Sequence, residues 1–462
     1  MKLHQLIFAT TAIFTLLFYD ENIGLNLGIL GIILSMLVLW QTKERNRDKI
    51  FLLLFVFSIL SSVAFAWYAD FASFLAEISS ILLLRFKSKN RNLKFILSIP
   101  SYISGGFTFI NDFFQFSQWF PKSKNTNTSK KIVAFVLIPI LFVSVFFGVY
   151  SLGSNHFSEL FSEYEWNLNF FNLFFISILG FFFAFIFWNL LIPRVLFKQN
   201  QHLKNDFSEG QKISKPTYTF LDVDYERTSG VISLIALNIL LLVFISTYSY
   251  EQFYETTKSG AQLSSETHDG VNAIILSIIM AILVILFYFK SGFNFDNKAK
   301  YLKLFAKIWI ILNVVLIFST VFKNTEYIRN FGFTYKRLGV YAFLILSILG
   351  LIFTFIKIKN QKTNAYLFNK MFGCFFGIIL LCSYINWGGI ITSENMKRQD
   401  FALNFHKNSI NFNQKQLLNY AKKHQNKTLE ESIKKNIEKK QKTTFLSKIL
   451  YYESINTNEE SK

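Results

Sequence analysis

Apolar residues gather in blocks separated by short polar stretches, and the blocks are close to the roughly 20 residues that a helix needs to cross about 30 Å of hydrocarbon. Eleven such blocks, at about residues 3–19, 23–40, 50–68, 71–84, 132–150, 171–192, 230–250, 271–289, 304–322, 338–356 and 371–387, predict eleven transmembrane helices. The expected fold class is therefore all-α, a polytopic integral membrane bundle with a short helical carboxy-terminal tail. Four parts follow from the spacing: a four-helix segment 1–94, an interfacial or re-entrant segment with a basic loop 95–131, a seven-helix core 132–388, and a basic, partly helical tail 389–462. Residues 95–120 are set apart because Pro100, Gly105, Gly106, Asn111 and Asp112 are expected to break a helix and basic residues flank both ends.

Charge then orients the blocks. Loops on the side of the amino terminus hold 28 Lys and Arg, against five in the opposite loops before the tail. The positive-inside rule places the amino terminus in the cytoplasm. The loop 323–337, with Lys323, Arg329, Lys336 and Arg337, is the exception on the outer side. The tail also falls outside by alternation and carries 14 Lys and Arg; long terminal segments cross largely regardless of charge. Lys2 and the run from Leu6 to Tyr19 imitate a secretory signal, but no small-residue cleavage site follows, so this is read as a retained first helix.

Composition narrows the classes further. The net charge of +19 lies in loops and tail without an arginine-rich arm or stacking module, so nucleic acid is not an expected partner. The expected partners are the lipid bilayer and a protein recruited through the tail. Abundant Lys, Asn, Ile and Phe suit an AT-rich bacterial genome and an inner-membrane location. Cys374 and Cys382 both sit in one apolar block and form no disulfide framework or zinc site. No nucleotide loop, zinc-protease helix or kinase core is present, so no cofactor and no reaction is implied.

Candidate functional residues are few. Glu77 lies seven residues after Asp70, about 10 Å into helix four, where an ionisable group points to a proton or ion site or to a protonated acid bonded between helices. His156 and His268 fall in outer loops with Glu159, Glu163, Glu165, Glu266 and Asp269, a composition that suits a metal or acid–base site or merely solvated loops. Helix nine is read as starting just after Asp269 and helix eleven just after Arg337, which predicts an Asp269–Arg337 pair. Asn238 and Asn313 share a depth at which they can bond to one another, and the Gly24–Gly28 and Gly373–Gly377 spacings suggest close helix packing. Asp222, Asp224 and Glu226 lack the spacing of a calcium loop and are read as helix-capping charges. In the tail, Thr428 with Glu431 reads as a capping box before Leu429, Ile433 and Ile437, and Phe445 to Tyr452 as a segment docked on the protein or on a membrane surface.

The segments ERTSGVISLIALNILLL, SSETHDGVNAIILSIIMAILVILFYF and YIRNFGFTYKRLGVYAFLIL, followed by INWGGIITSENMKRQ and NFNQKQLLNYAKK, resemble a bacterial polytopic membrane family known as a domain of unknown function numbered forty-one seventy-three, whose sister is numbered forty-one fifty-three. The resemblance covers about residues 130–420. It implies an inner-membrane location and no assigned activity. The family's Pro-containing exit from its last helix is here Asn386, Trp387, Gly388 and Gly389. Three functions are carried forward: a transporter or envelope-associated protein with an outward polar surface, a noncatalytic scaffold or sensory subunit working through its tail, and a membrane enzyme using His156 and His268. Transport predicts a hydrated cavity that reaches Glu77.

Overall fold

The computed structural model describes residues 1–120, 138–154, 169–213, 220–254, 260–290 and 292–456, with the isolated residues 135 and 157. Every described element is a helix. Among the described residues seven helices are long and apolar enough to cross a membrane, and the shorter apolar helices Leu3–Phe18 and Leu25–Gln41 accompany them. The chain divides into two compact units. One comprises Met1–Leu93, Leu97–Phe197 and Glu438–Lys462; the other comprises Lys94–Ile96 and Lys198–Ile437.

The first unit contains α1 (Leu3–Phe18), α2 (Leu25–Gln41), α3 (Lys49–Tyr68), α4 (Phe71–Lys89), α5 (Ser98–Phe114), α6 (Phe116–Trp119), α7 (Ile138–Gly153) and α8 (Phe170–Trp188). Asp48 and Asp70 start α3 and α4 as N-caps, accepting from the backbone N–H groups of Phe51 and Ser73. α1 and α8 run antiparallel: Thr15 meets Ser177, while the Trp188 indole donates to Thr10 Oγ1 at 2.8 Å. Arg85, buried in the last turns of α4, donates to the carbonyls of Phe187 at 3.1 Å and Trp188 at 2.6 Å and so satisfies the carboxyl end of α8. The expected helix break in 95–120 is absent, since α5 is continuous from Ser98 to Phe114. Pro100 sits in its first turn, where the missing N–H would have no intrahelical partner, and two glycines weaken a helix without ending it.

The end of the tail belongs to this unit and docks on it. The Lys448 carbonyl accepts from the Leu25 N–H at 2.9 Å, Ser447 Oγ accepts from the Asn22 N–H at 2.8 Å, and Thr444 and Ser447 both donate to the Glu21 carboxylate. Tyr451 and Tyr452 are buried, with the Tyr451 ring 6.3 Å from that of Tyr68 at the end of α3. The strap therefore closes the end of the unit that holds the α1–α2 turn and the start of α4.

The second unit contains the latter part of α9 (Arg194–His202), α10 (Val223–Tyr254), α11 (Gly260–Tyr288), α12 (Lys300–Phe331), α13 (Tyr335–Lys359), α14 (Asn364–Tyr384), α15 (Trp387–Asn395), α16 (Leu403–Ser409), α17 (Gln414–Lys423) and most of α18 (Lys427–Gln441). Its core runs from Leu234 and Leu241 on α10 through Ile274, Ile278 and Ile285 on α11 to Leu316, Ile317, Leu344 and Leu351 on α12 and α13. The stretches read as outer loops are largely helix: α10 continues to Tyr254, α11 starts at Gly260, and only Gly332 to Thr334 separate α12 from α13. α12, at 32 residues, is about 48 Å long and exceeds the bilayer core. Thr, Lys, Glu and Asn at these ends carry no cost in a helix once water or a neighbour serves the side chain. In the tail, Leu429, Ile433 and Ile437 form a buried stripe, but the helix is capped by Asn426 Oδ1, which accepts from the Leu429 N–H, rather than by Thr428. α19 (Leu450–Glu453) lies in the strap.

Candidate functional site: a buried carboxyl between three helices

Three small residues on one face of α2 set the geometry. Gly24, Gly28 and Gly31 recur at helical spacing, and each lets another segment approach the helix backbone. A Cβ on Gly24 would lie 2.6 Å from the Ser447 carbonyl oxygen of the strap, and one on Gly28 would lie 2.6 Å from the Ser62 carbonyl oxygen on α3. A Cβ on Gly31 would overlap Glu77 Oε1 and Ser62 Oγ. The expected Gly24–Gly28 packing is present, whereas among the described residues nothing lies within 4 Å of a Cβ position on Gly373 or Gly377.

Glu77 thus points from α4 at Gly31 and Ser62, is itself 0% exposed, and lies in the seam among three helices that also bury Ser35, Ser58, Ser61 and Ser80. Neither of its carboxyl oxygens has a hydrogen-bond partner. The serines explain why. Ser35 Oγ donates to the Gly31 carbonyl at 2.8 Å, Ser62 Oγ to Ser58 at 2.8 Å and Ser80 Oγ to Ala76 at 2.6 Å, so each has spent its single hydrogen on its own helix. While the Ser62 hydroxyl stays on the Ser58 carbonyl, what it presents to Glu77 is a lone pair, to which a protonated carboxyl can donate and which an ionised carboxylate can use only if that hydroxyl turns. No cation pairs with Glu77 among the described residues, and an uncompensated charge there would be very costly. The seam is built for the neutral acid, and it is sealed: the hydrated cavity that transport predicts does not reach Glu77 in this conformation.

The other expected residues have different surroundings. His156 lies outside the described residues. His268 and Asp269 fall within α11, some two turns past its first residue rather than before it, and their side chains lie outside the described set. Arg337 caps α12: its Nη1 donates to the carbonyls of Phe331, at 2.9 Å, and Gly332, and its guanidinium lies 4.0 Å from the Tyr327 ring centroid. Asn238 and Asn313 do not bond to one another but donate to the Phe305 and Trp309 carbonyls of α12. Arg227 bridges Asp224 and Asp296, leaving Asp224 and Glu226 in the first turn of α10, where the helix dipole favours them. Among the described residues no group of three or more His, Cys, Asp or Glu is placed to hold a metal ion.

A second polar cluster had not been anticipated. His406 on α16, 1% exposed, meets Thr392 Oγ1 at 3.0 Å through Nδ1 and Asn395 Nδ2 at 3.1 Å through Nε2. Asn395 is fixed by two bonds to the Phe333 backbone, accepting from its N–H at 2.7 Å and donating to its carbonyl at 2.9 Å. Its amide NH2 therefore faces Nε2, which must accept, and the imidazole proton resides on Nδ1 toward Thr392. Asn413 Nδ2 completes the junction on Thr392 Oγ1 and the His406 carbonyl. Burial pushes the imidazole down to about 4. A cavity of about 40 Å³ beside it, lined by Phe333, Arg398 and Phe405 among others, has room for a water molecule. Arg398 donates to the carbonyls of Arg329 and Asn330 and adds a second cap to α12.

A family model described as a domain of unknown function, DUF4153, matches residues 9–416, which is most of the chain. The chain belongs to the DUF4153 family. It is thus a member of the sister of the family suggested by its sequence segments, a correction that leaves the membrane architecture unchanged. No curated protein and no solved structure matches the chain. The DUF4153 match takes in both the Glu77 seam and the His406 junction and ends before the strap.

Proposed function

We propose that this DUF4153 protein is a transporter-like protein of the bacterial inner membrane, with its amino terminus in the cytoplasm, in which Glu77 takes up and releases a proton as the α2–α3–α4 seam opens and closes. The observation that carries this reading is a fully buried carboxyl beside the Ser62 hydroxyl, with no cation paired to it among the described residues. Ionisable groups inside membrane helices are expensive to keep, and a structural role would be filled more cheaply by an amide or an apolar residue. The sealed seam corresponds to an occluded state, and the strap on Gly24 covers one end of the same α2 face.

The scaffold alternative, in which the tail recruits a partner, is disfavoured because the last part of the tail is already seated on α2 and α3. The test is proton flux. Full-length protein reconstituted in vesicles with an entrapped pH dye should dissipate an imposed pH gradient faster than empty vesicles, and Glu77→Gln should remove that increment by at least tenfold. Equal flux in the two proteins would remove Glu77 from the mechanism.

A further inference from the structure

α5 turns an apolar stripe outward. Ile99, Ile103, Phe107, Ile110 and Phe114 recur at steps of four, four, three and four, which is one face of a helix, and Phe107 is 88% and Ile110 70% exposed. The opposite face packs within the first unit: Ser98 and Ser101 are buried, and the Tyr102 hydroxyl donates to the Leu82 carbonyl near the carboxyl end of α4 at 3.0 Å.

The direction of α5 follows from what its aromatic residues meet. Gly105 lies nearest Ile186; the Phe109 ring is 4.8 Å from Phe182 and 5.3 Å from Phe185, and the Phe113 ring is 5.7 Å from Phe181. After the turn at Gln115, Trp119 returns to Phe185 at 5.4 Å and Phe120 reaches His4 at 5.2 Å. From Gly105 to Trp119 the segment therefore stays between Phe181 and Ile186, only about 7.5 Å of α8, while the other end of α8 at Phe170 lies a further 16 Å or so away. The segment starts beside the last turns of α4 and ends beside the first turn of α1. Both lie at the end of the unit where Arg85 closes α8. A crossing helix would begin and finish at opposite ends.

We infer that α5 and α6 lie within one leaflet, along the boundary between headgroups and acyl chains, and that the Ile99–Phe114 stripe is a lipid-binding surface. An exposed run of five large apolar side chains suits that boundary and is out of place in water. Arg91, exposed just before α5, stands where a long cationic side chain reaches headgroups. A helix laid in the leaflet beside α8 and α4 braces the first unit against the membrane surface without adding a span.

Nitroxide labels on single cysteines at Ile103, Phe107 and Ile110 test this, in full-length protein with Cys374 and Cys382 changed to Ser and reconstituted in phosphatidylethanolamine–phosphatidylglycerol vesicles. Collision with oxygen should exceed collision with a water-soluble nickel chelate several-fold at all three sites, with depths agreeing to within about one helical turn. A depth increasing steadily by about 1.5 Å per residue toward the bilayer centre would mean a spanning helix and overturn the inference. So would strong collision with nickel, which indicates water, or collision with neither reagent, which indicates a covering protein. The three sites are exposed and independent, so one variant that fails to fold leaves two to decide.

Discussion

The two buried polar clusters of this protein are built on opposite principles. At the His406 junction both imidazole nitrogens, both ends of the Asn395 amide and the Thr392 hydroxyl are engaged, leaving only the Asn413 amide oxygen of the junction without a partner, across segments that close the carboxyl end of α12 against the tail. In the α2–α3–α4 seam the buried Glu77 carboxyl has no cation beside it among the described residues, and the nearby Ser62 hydroxyl also serves its own helix. A satisfied network specifies one packing and is lost at a high cost; an unsatisfied carboxyl adds nothing to packing that an apolar side chain would not add better. The contrast underlies the proposal that the second unit's cluster serves stability and the first's serves proton uptake.

Breaking the satisfied cluster should have the largest effect. Asn395→Ala strands the Phe333 N–H and carbonyl and one histidine nitrogen, so the second unit should lose about 3–4 kcal/mol, read as an earlier unfolding transition in detergent and faster amide exchange in α16 and α17. A loss below about 1 kcal/mol would mean that the junction is loosely held.

Acid should act on the same place. The folded His406 imidazole is depressed to about 4 from an ordinary 6.5, so its contribution is fully present above about pH 6.5 and is lost as pH falls toward 4. The loss amounts to at most about 3 kcal/mol. His406→Gln should flatten that part of the stability profile, and a profile unchanged by the substitution would place the acid sensitivity elsewhere.

The seam answers to a smaller perturbation. Gly31→Ala puts a methyl group where Glu77 Oε1 and Ser62 Oγ now lie, and should cost about 1–3 kcal/mol of overpacking. Adding Glu77→Ala, which vacates that space, should recover most of the loss in a double-mutant cycle. Additive effects would show that the carboxyl does not rest on Gly31.

Much of this was legible in the sequence where one helix carries the signal. Seven of the eleven expected spans, the burial of Glu77 and the close approach at Gly24 and Gly28 follow from hydropathy, depth and spacing within single segments; 3–19 and 23–40 form shorter apolar helices, the helix over 71–84 carries too many polar residues to count, and 132–150 lies partly outside the described residues. The extensions of α10, α11 and α12 were read as loops because polar residues mark the membrane edge but not the end of a helix. The capping role of Arg337 was not legible, because its acceptors, the carbonyls of Phe331 and Gly332, become available only once α12 ends at Gly332; the Asp269 side chain, its expected partner, lies outside the described residues. The His406 junction was invisible for a related reason: Asn395 binds the backbone of Phe333, 62 residues away, and backbone groups leave no mark in sequence. Even so, the asparagines that form it, Asn395 and Asn413, lie in the segments that carried the family resemblance.

The most direct test of the central claim is the protonation of Glu77 itself, read as the carbonyl stretch of a neutral carboxyl in infrared spectra of the reconstituted protein at pH 7. The account predicts a band from a protonated acid that shows weak hydrogen bonding, exchanges slowly with deuterium oxide because the seam is sealed, and is absent in Glu77→Gln. A spectrum in which wild type and Glu77→Gln have the same neutral-carboxyl intensity, with the wild type carrying an extra carboxylate band instead, would contradict it.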